Sequence, residues 1–291
     1  MNSIQLKAMG KINLGLDVVR RRPDGYHEVK MVMQTVNLYD KVRMTVEDEP
    51  GIRVTTNLSF LPVNENNIVY KAAAMMRELY HIEKGVAIDL EKHIPVAAGM
   101  AGGSTDGAAV LYGMNRLFDL KLSRSKLMEL GLKLGADVPY CLLRGTALSE
   151  GIGEVLTPLP GMPDCWILIA RPPVSVSTKF VYENLHLETI KKHPDIDGIV
   201  DAIRRSDLYG MCSRLDNVLE TVTVVHHPEI EEIKGFMKDH GAVNAIMSGS
   251  GPTVFGIYDD EDTAKAACEA VKESGLARQV FLAKPYDRSR G

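Results

Sequence analysis

Residues 93–110 read HIPVAAGMAGGSTDGAAV. The alternation of Val86 to Leu90 predicts a strand just before this stretch, and Pro95 stops it. Gly99, Gly102 and Gly103 then lead into Ser104-Thr105-Asp106, where a helix is expected over 104–118. Glycines at such a strand-to-helix turn let backbone N–H groups approach an anion closely. The helix N-terminus adds free donors and the positive end of its dipole. The hydroxyls of Ser104 and Thr105 can donate to phosphate or hold a metal. The spacing is not G-x-G-x-x-G, so a Rossmann reading fails, and no Gly-Lys-Ser/Thr follows, so this is not a Walker loop. A plain turn with Ser104 or Thr105 as helix cap is the alternative; the residues favour phosphate.

Working outward, residues 11–19 (KINLGLDVV) alternate, with Ile12, Leu14 and Leu16 on one face and Lys11, Asn13 and Gly15 on the other. That predicts a strand with one buried side, on which Lys11 taken alone reads as a solvated edge lysine. Arg22-Pro23-Asp24-Gly25 is a turn signal, and strands are expected over 26–36 and 41–46, so the chain opens on an antiparallel sheet. Residues 66–80 predict a helix capped by Asn66 or Asn67. After the glycine run, a second helix is expected from Ser123 to a C-cap at Gly135. In Gly135-Ala136-Asp137-Val138-Pro139, Asp137 either caps the next short helix or does chemistry. Residues 158–163 (PLPGMP) are the best linker. Beyond it we expect a strand over 165–170, several helices, two strands flanking a loop over 242–258, a helix over 261–274 and a strand over 279–283. That loop, Met247-Ser248-Gly249-Ser250-Gly251-Pro252-Thr253, is a second glycine/serine nest suited to phosphate. Strands and helices mix without a strict βαβ rhythm, so the class is α+β.

A chain of 291 residues suggests about two domains, or one large one. Hydrophobic residues at 45% and charged residues at 25% fit an ordinary soluble protein and argue against disorder, collagen and coiled coil. Lys plus Arg total 34 against 38 Asp plus Glu, a net charge of −4. A nucleic-acid binder would usually show a basic excess, so small-molecule partners are expected and nucleic acid is not. Cys141, Cys165, Cys212 and Cys268 lie far apart with no Cys-x-x-Cys pair, which fits a reducing cytoplasm better than a zinc knuckle or a disulfide scaffold. No secretion signal and no apolar run of about 20 residues is visible, so a cytoplasmic location away from the membrane is expected.

Placed together, the Lys11 strand, the Pro95–Asp106 loop, the Asp137 turn and the Ser248–Thr253 loop resemble the GHMP kinase superfamily (galactose, homoserine, mevalonate and phosphomevalonate kinases). Met100 stands where Leu is usual, Ala101 where Gly is usual, Thr105 where Ser is usual and Gly107 where Ala is usual. The last should loosen the helix by roughly 1 kcal/mol. Further segments are similar to the branch of the superfamily whose substrate is a cytidine-diphospho sugar alcohol: Arg22-Pro-Asp24-Gly-Tyr26-His27, Leu134-Gly-Ala-Asp137-Val-Pro139, Glu150-Gly-Ile-Gly-Glu154 and Asn217-Val-Leu-Glu220. The resemblance spans essentially the whole chain. It implies a two-domain α+β GHMP kinase fold with the active site in the interdomain cleft. The N-terminal domain would cover 1–158 and the C-terminal α+β domain 159–291. It implies ATP-dependent phosphorylation of the 2-hydroxyl of 4-(cytidine 5′-diphospho)-2-C-methyl-D-erythritol, on the non-mevalonate route to isoprenoid precursors. A homoserine or phosphomevalonate type of kinase is the alternative, but Asp-Gly-Tyr-His argues against substrates that offer no base to stack on. A non-catalytic nucleotide sensor could lose Lys11 or Asp137, and both are present.

The same resemblance assigns roles. Asp137 is the general base for the attacking hydroxyl, and Lys11 stands beside it to stabilise charge. Pro95, Gly99, Ala101, Gly102, Gly103, Ser104 and Thr105 cradle ATP, Asn67 and Lys92 match positions near the adenine, and Ser104 reaches Mg²⁺ through ATP. Helix capping also explains Asn67, and solvation also explains Lys92. Asn13 positions the erythritol hydroxyls, Tyr26 stacks on cytosine, His27 bonds its edge, and Thr178 lies near the diphosphate or ribose. Tyr182 is either a second stacking wall or a half-buried helix residue. ATP and Mg²⁺ are the implied cofactors, and the protein is expected to be a monomer or homodimer.

Overall fold

Two long strands open the chain in this computed structural model, which describes residues 1–287: β1 (Ser3–Arg21) and β2 (His27–Glu47). They are hydrogen-bonded neighbours, and each contributes residues to both of the compact units into which the chain divides. The first unit comprises 1–10, 38–96 and 101–143; the second comprises 11–37, 97–100 and the chain from 144 onward. The last four residues of the expected C-terminal domain lie outside the described residues.

In the first unit, β2 is followed by β3 (Ile52–Thr56), α1 (Ile68–Leu79), β4 (Gly85–Glu91), α2 (Gly102–Leu117), α3 (Arg124–Leu132) and α4 (Val138–Leu143). The two strands expected over 26–36 and 41–46 are one. The polar break at Asn37 to Asp40 is not a turn, because the chain continues straight into its pairing with β4, Met44 opposite Ile88. β3, too short and polar to read from sequence, lies parallel to β4 with Val54 opposite Ile88. The core is built from Val42, Met44, Ile88, Leu90, the Val69/Ala72/Ala73/Met76 face of α1, and Ala108, Leu111 and Met114 of α2. Helix α3 stops at Leu132 with Lys133 as its C-cap, so Gly135 is not the cap expected. The Gly135 N–H instead closes one further turn onto the Gly131 carbonyl at 3.1 Å.

Helix α2 starts at Gly102, two residues before the expected start, and its N-cap is Ala101 at φ 54° and ψ 30°. A residue with a Cβ loses about 1–2 kcal/mol in this left-handed region, at the position where the resemblance expects glycine. Part of that strain is offset by the smaller unfolded-chain entropy of alanine. Ala101→Gly is therefore expected to raise stability by up to about 1 kcal/mol, read as a higher urea midpoint at unchanged m-value. A lowered midpoint would show that Ala101 is relieved by its surroundings. Gly107 has a use that its helix propensity hides: a Cβ there would lie 3.0 Å from Cγ1 and 3.2 Å from Cδ1 of Ile68. The missing side chain lets α2 close on α1, which offsets the expected loosening.

In the second unit the elements run β5 (Thr146–Glu150), β6 (Val155–Pro158), β7 (Trp166–Arg171), α5 (Thr178–Glu183), α6 (Ile196–Arg204), α7 (Leu208–Cys212), β8 (Asp216–Asn217), α8 (Glu220–His226), α9 (Glu229–Asp239), β9 (Asn244–Met247), β10 (Val254–Tyr258), α10 (Glu261–Ser274) and β11 (Gln279–Ala283). Four strands form an antiparallel sheet in the order β11-β7-β10-β9, with β10 buried along its whole length. Helices α9 and α10 bury Ile230, Ile233 and Met237, and Ala264, Ala267 and Val271. The expected linker begins inside β6 at Pro158. Elsewhere in this unit, Met31–Gln34 of β2 pair with β5, and Gly15 and Leu16 of β1 pair in parallel with β8.

This second unit also corrects the reading of the first strand. Its polar face is not solvated: Lys11 is 5% exposed and Asn13 0%. The Lys11 N–H donates to the Met100 carbonyl at 3.1 Å, and the Asn13 N–H to Ser248 Oγ at 3.3 Å. Loop backbone covers a face that alternation alone assigns to water.

Candidate active site

Within the second unit, three stretches far apart in sequence converge on one carbonyl. Lys11 Nζ donates to Asn13 Oδ1 at 2.7 Å and to the Gly99 carbonyl at 3.1 Å. Ser248 Oγ donates to the same carbonyl at 3.0 Å. Gly99 sits at φ 75°, and a Cβ on it would overlap the Ser248 carbonyl oxygen. Glycine is required here by loop-on-loop packing, a different reason from the anion approach expected. The amide of Asn13 is engaged at both ends, since its Nδ2 donates to Met31 Sδ at 3.2 Å. The structure thus brings Lys11, Asn13 and Gly99 together around Ser248.

The phosphate-loop residues 101–105 belong to the first unit. No side chain caps α2. Its first helical bond runs from the Thr105 N–H to the Ala101 carbonyl at 2.9 Å, so the N–H groups of Gly102, Gly103 and Ser104 have no acceptor in the helix. Gly103 is exposed, and a Cβ there would meet only Ile68 Cγ2, at 3.8 Å. That is an open cradle of donors fit for a phosphate. Ser104 is half-buried, whereas Thr105 is buried at 2% exposure and Pro95 is also buried.

Lys92 is not the solvated lysine that sequence alone allowed. Its Nζ lies 2.6 Å from Asp106 Oδ2 and also bonds Asp40 Oδ2, with all three residues buried. Asp40 Oδ1 accepts from the Ile94 N–H at 2.8 Å. Burial opposes the Lys92 charge, but the two carboxylates outweigh it and hold its pKa above the ordinary value. Burial first, and the charge of Asp40 second, push Asp106 well above the carboxylate range against the pull of Lys92. Asp106 Oδ1 has no hydrogen-bond partner among the described residues. Sequence reasoning missed Asp40 and Asp106. The available signal was an aspartate between the apolar Leu38-Tyr39 and Val42 of a strand and another at a helix start. Asn67 caps α1 as one reading expected: its Oδ1 accepts from the Val69 N–H at 3.0 Å and its Nδ2 donates to the Pro62 carbonyl at 2.7 Å. Asp137 precedes α4, half-buried, and its carbonyl accepts from the Cys141 N–H at 3.0 Å.

A second cluster in the second unit has an aromatic character. Asp24 Oδ1 accepts from the Tyr26 N–H at 3.1 Å, and Gly25 turns at φ 88°, so the turn presents Tyr26 with 60% exposure. The His27 and Tyr182 rings stand 5.1 Å apart, tilted by 37°. Burial, then the nearby Arg21 charge, keep the His27 pKa below its ordinary value. At neutral pH its imidazole is therefore uncharged and offers one donor and one acceptor. Thr178 Oγ1 is 2.8 Å from Ser250 Oγ.

The chain matches the family model described as GHMP kinases N terminal domain over residues 67–145, and that described as GHMP kinases C terminal over 199–276. It is 58% identical over 287 residues to the 4-diphosphocytidyl-2-C-methyl-D-erythritol kinase of Lachnoclostridium phytofermentans, covering 99% of each chain. The chain belongs to the GHMP kinases. A crystal structure of 4-(cytidine 5′-diphospho)-2C-methyl-D-erythritol kinase superposes with a TM-score of 0.82 at 33% identity, covering 97% of this kinase and 99% of that chain. The homoserine kinase of Cytophaga hutchinsonii shares the fold, with a TM-score of 0.79 at 22% identity, covering 99% of this chain and 95% of that one. As a GHMP kinase the protein uses ATP as phosphoryl donor. Among the described residues no helix is long and apolar enough to cross a membrane, and no group of three or more His, Cys, Asp or Glu side chains could hold a metal ion.

Proposed function

We propose that this kinase transfers the γ-phosphoryl group of ATP to the 2-hydroxyl of 4-(cytidine 5′-diphospho)-2-C-methyl-D-erythritol, a step toward isoprenoid precursors. The full-length identity to relatives bearing that name carries the reading. The turn-presented Tyr26, next in sequence to the His27 ring that contacts Tyr182, supports it, because such side chains suit a pyrimidine.

Phosphoryl transfer needs mostly positioning and charge neutralisation. The N–H groups of Gly102, Gly103 and Ser104 hold the ATP phosphates. Ser104 would be the protein contact of an Mg²⁺ bound with the nucleotide, which would neutralise charge on the ATP phosphates. Asp137 takes the proton from the 2-hydroxyl as that oxygen attacks. Lys11 stabilises charge on the transferring oxygens. Asn13 orients Lys11 through its carboxamide oxygen; a contact to the erythritol hydroxyls requires that amide to exchange partners. Tyr26 stacks on cytosine with Tyr182 as the second wall, His27 bonds the base edge, and Thr178 lies with Ser250 near the diphosphate or ribose. Asn67 and Lys92 support the adenine side from their cap and ion cluster. By role we divide the sequence into an N-terminal kinase domain over 1–158 and a C-terminal one over 159–291. We place the reaction in the cytoplasm, which suits four free buried cysteines, with the protein a monomer or homodimer acting on small molecules.

The test is a phosphotransfer assay offering the cytidine-diphospho substrate, homoserine and phosphomevalonate, run on the wild type and on Tyr26→Ala. Aromatic stacking on a base is worth about 1–3 kcal/mol, so the variant is expected to raise KM for the cytidine substrate by roughly one to two decades. KM for ATP should hardly move. If Tyr26→Ala weakens ATP and spares the cytidine substrate, the cytidine site is wrong and a generic superfamily kinase replaces it.

A further inference from the structure

The segment Asn217-Val218-Leu219-Glu220 carries part of the family resemblance, yet none of the roles above uses it. Asn217 is 2% exposed. Its Nδ2 donates to the carbonyls of Met247 and Gly249, both at 2.8 Å, and its Oδ1 accepts from the Leu219 N–H at 3.0 Å. Both amide hydrogens and the amide oxygen are thus engaged. Three residues on, Glu220 Oε1 accepts from the Met247 N–H at 2.6 Å, while its Oε2 bonds Lys234 Nζ at 2.6 Å. One four-residue segment therefore grips the 247–249 backbone by an N–H and two carbonyls.

The grip is registered against the strand that carries Lys11. Asn217 pairs with Leu16 of β1, and the Val218 N–H donates to the Leu16 carbonyl at 3.0 Å. The gripped loop turns through left-handed backbone at Gly249 (φ 59°) and Gly251 (φ 87°), which alone does not fix one conformation. What it must hold is Ser248, whose hydroxyl accepts from the Asn13 N–H and donates to the carbonyl that also receives Lys11 Nζ.

We propose that Asn217 is a positioning residue for the phosphoryl-transfer step: by fixing the Met247 and Gly249 carbonyls it holds Ser248 against Gly99 and so sets where the Lys11 ammonium stands. This rests on the reading of Lys11 as the charge-stabilising group. Asn217→Asp is nearly isosteric but turns a carboxylate toward two carbonyl oxygens, which removes the grip without opening a cavity. Ser248→Ala cuts the next link and leaves the grip intact.

The experiment uses the full-length enzyme as wild type, Asn217→Asp, Ser248→Ala and the double variant. Steady-state kinetics give kcat and KM for ATP, and amide hydrogen exchange follows the 247–253 segment without substrate. Asn217→Asp is expected to lower kcat by about 10–100-fold with KM for ATP within about threefold, the split expected when only transition-state stabilisation is lost. Exchange in 247–253 should quicken, and the double variant should be no slower than Asn217→Asp alone, because both act through one path. A folded Asn217→Asp with kcat within about twofold of wild type overturns the proposal, as does a double variant whose losses multiply. If Asn217→Asp does not fold, Ser248→Ala decides alone: unchanged kcat overturns the proposal, and a lowered kcat at constant KM supports it. The exchange result needs no substrate, so wild-type inactivity toward the cytidine compound would fail the functional reading while unchanged exchange in Asn217→Asp would fail the grip.

Discussion

Asp137→Asn is expected to lower kcat by about 10²–10⁴-fold, the usual span for a lost general base, and to leave ATP binding nearly intact. Asparagine keeps the size of the side chain and its acceptor oxygen but cannot take a proton from the attacking hydroxyl. Asp137 sits half-buried just ahead of α4, and its backbone carbonyl accepts the Cys141 N–H, a bond that the side-chain substitution leaves in place. Turnover and nucleotide affinity, measured separately, check this. A variant that retains more than about a tenth of wild-type kcat would remove Asp137 as the base. Lys11→Ala acts on the same step in this reading, so the double variant should lose much less than the product of the single losses.

How far the sequence carried is clearest at the two ends of the chain. The helix over 261–274 and the strand over 279–283 were readable to the residue; Asp260 caps the helix, Gly275 ends it at φ 72°, and Ala264, Ala267, Cys268 and Val271 are its buried residues. The first strand was harder. Alternation predicts water on the Lys11 face, but the loops at 97–100 and 247–251 bond Lys11 and Asn13 there, and Ile196 and Ile199 of α6 pack against Gly15. No local pattern encodes such a contact between distant segments. The same holds for Asp40, whose ion-pair partner Lys92 lies 52 residues away in sequence. A buried carboxylate in a strand reads locally as a turn, so one long strand was split in two. The site residues recognised from motifs are those the backbone itself demands or exposes: Gly99, the 102–104 donors and the Tyr26 turn. The residues that hold them, Ser248, Asn217, Asp40 and Asp106, act through long-range hydrogen bonds and ion pairs. Ser248, Asn217 and Asp106 lie in segments that carry the family resemblance, but nothing local shows what each side chain holds.

The glycine run tests this division most sharply, because its members are glycine for different reasons. Gly99→Ala places a Cβ on the Ser248 carbonyl oxygen and forces a side chain onto φ 75°. The obstacle is backbone, which cannot rotate aside. Separation of the two loops also takes the Gly99 carbonyl from both Lys11 and Ser248. The expected result is a destabilisation of more than about 2 kcal/mol together with a loss of kcat, since strain and unsatisfied buried polar groups add. Gly103→Ala is the contrast. Its Cβ would meet only a methyl group at 3.8 Å, so the urea midpoint should stay close to wild type. What the methyl group obstructs is the approach of a phosphate to the uncapped N–H groups of α2. KM for ATP should rise there with stability unchanged. Denaturant melts and ATP titrations on both variants separate the two causes. A Gly99→Ala protein as stable as wild type would show that the loop contact can relax. A Gly103→Ala protein with unchanged ATP affinity would move the phosphates away from the start of α2.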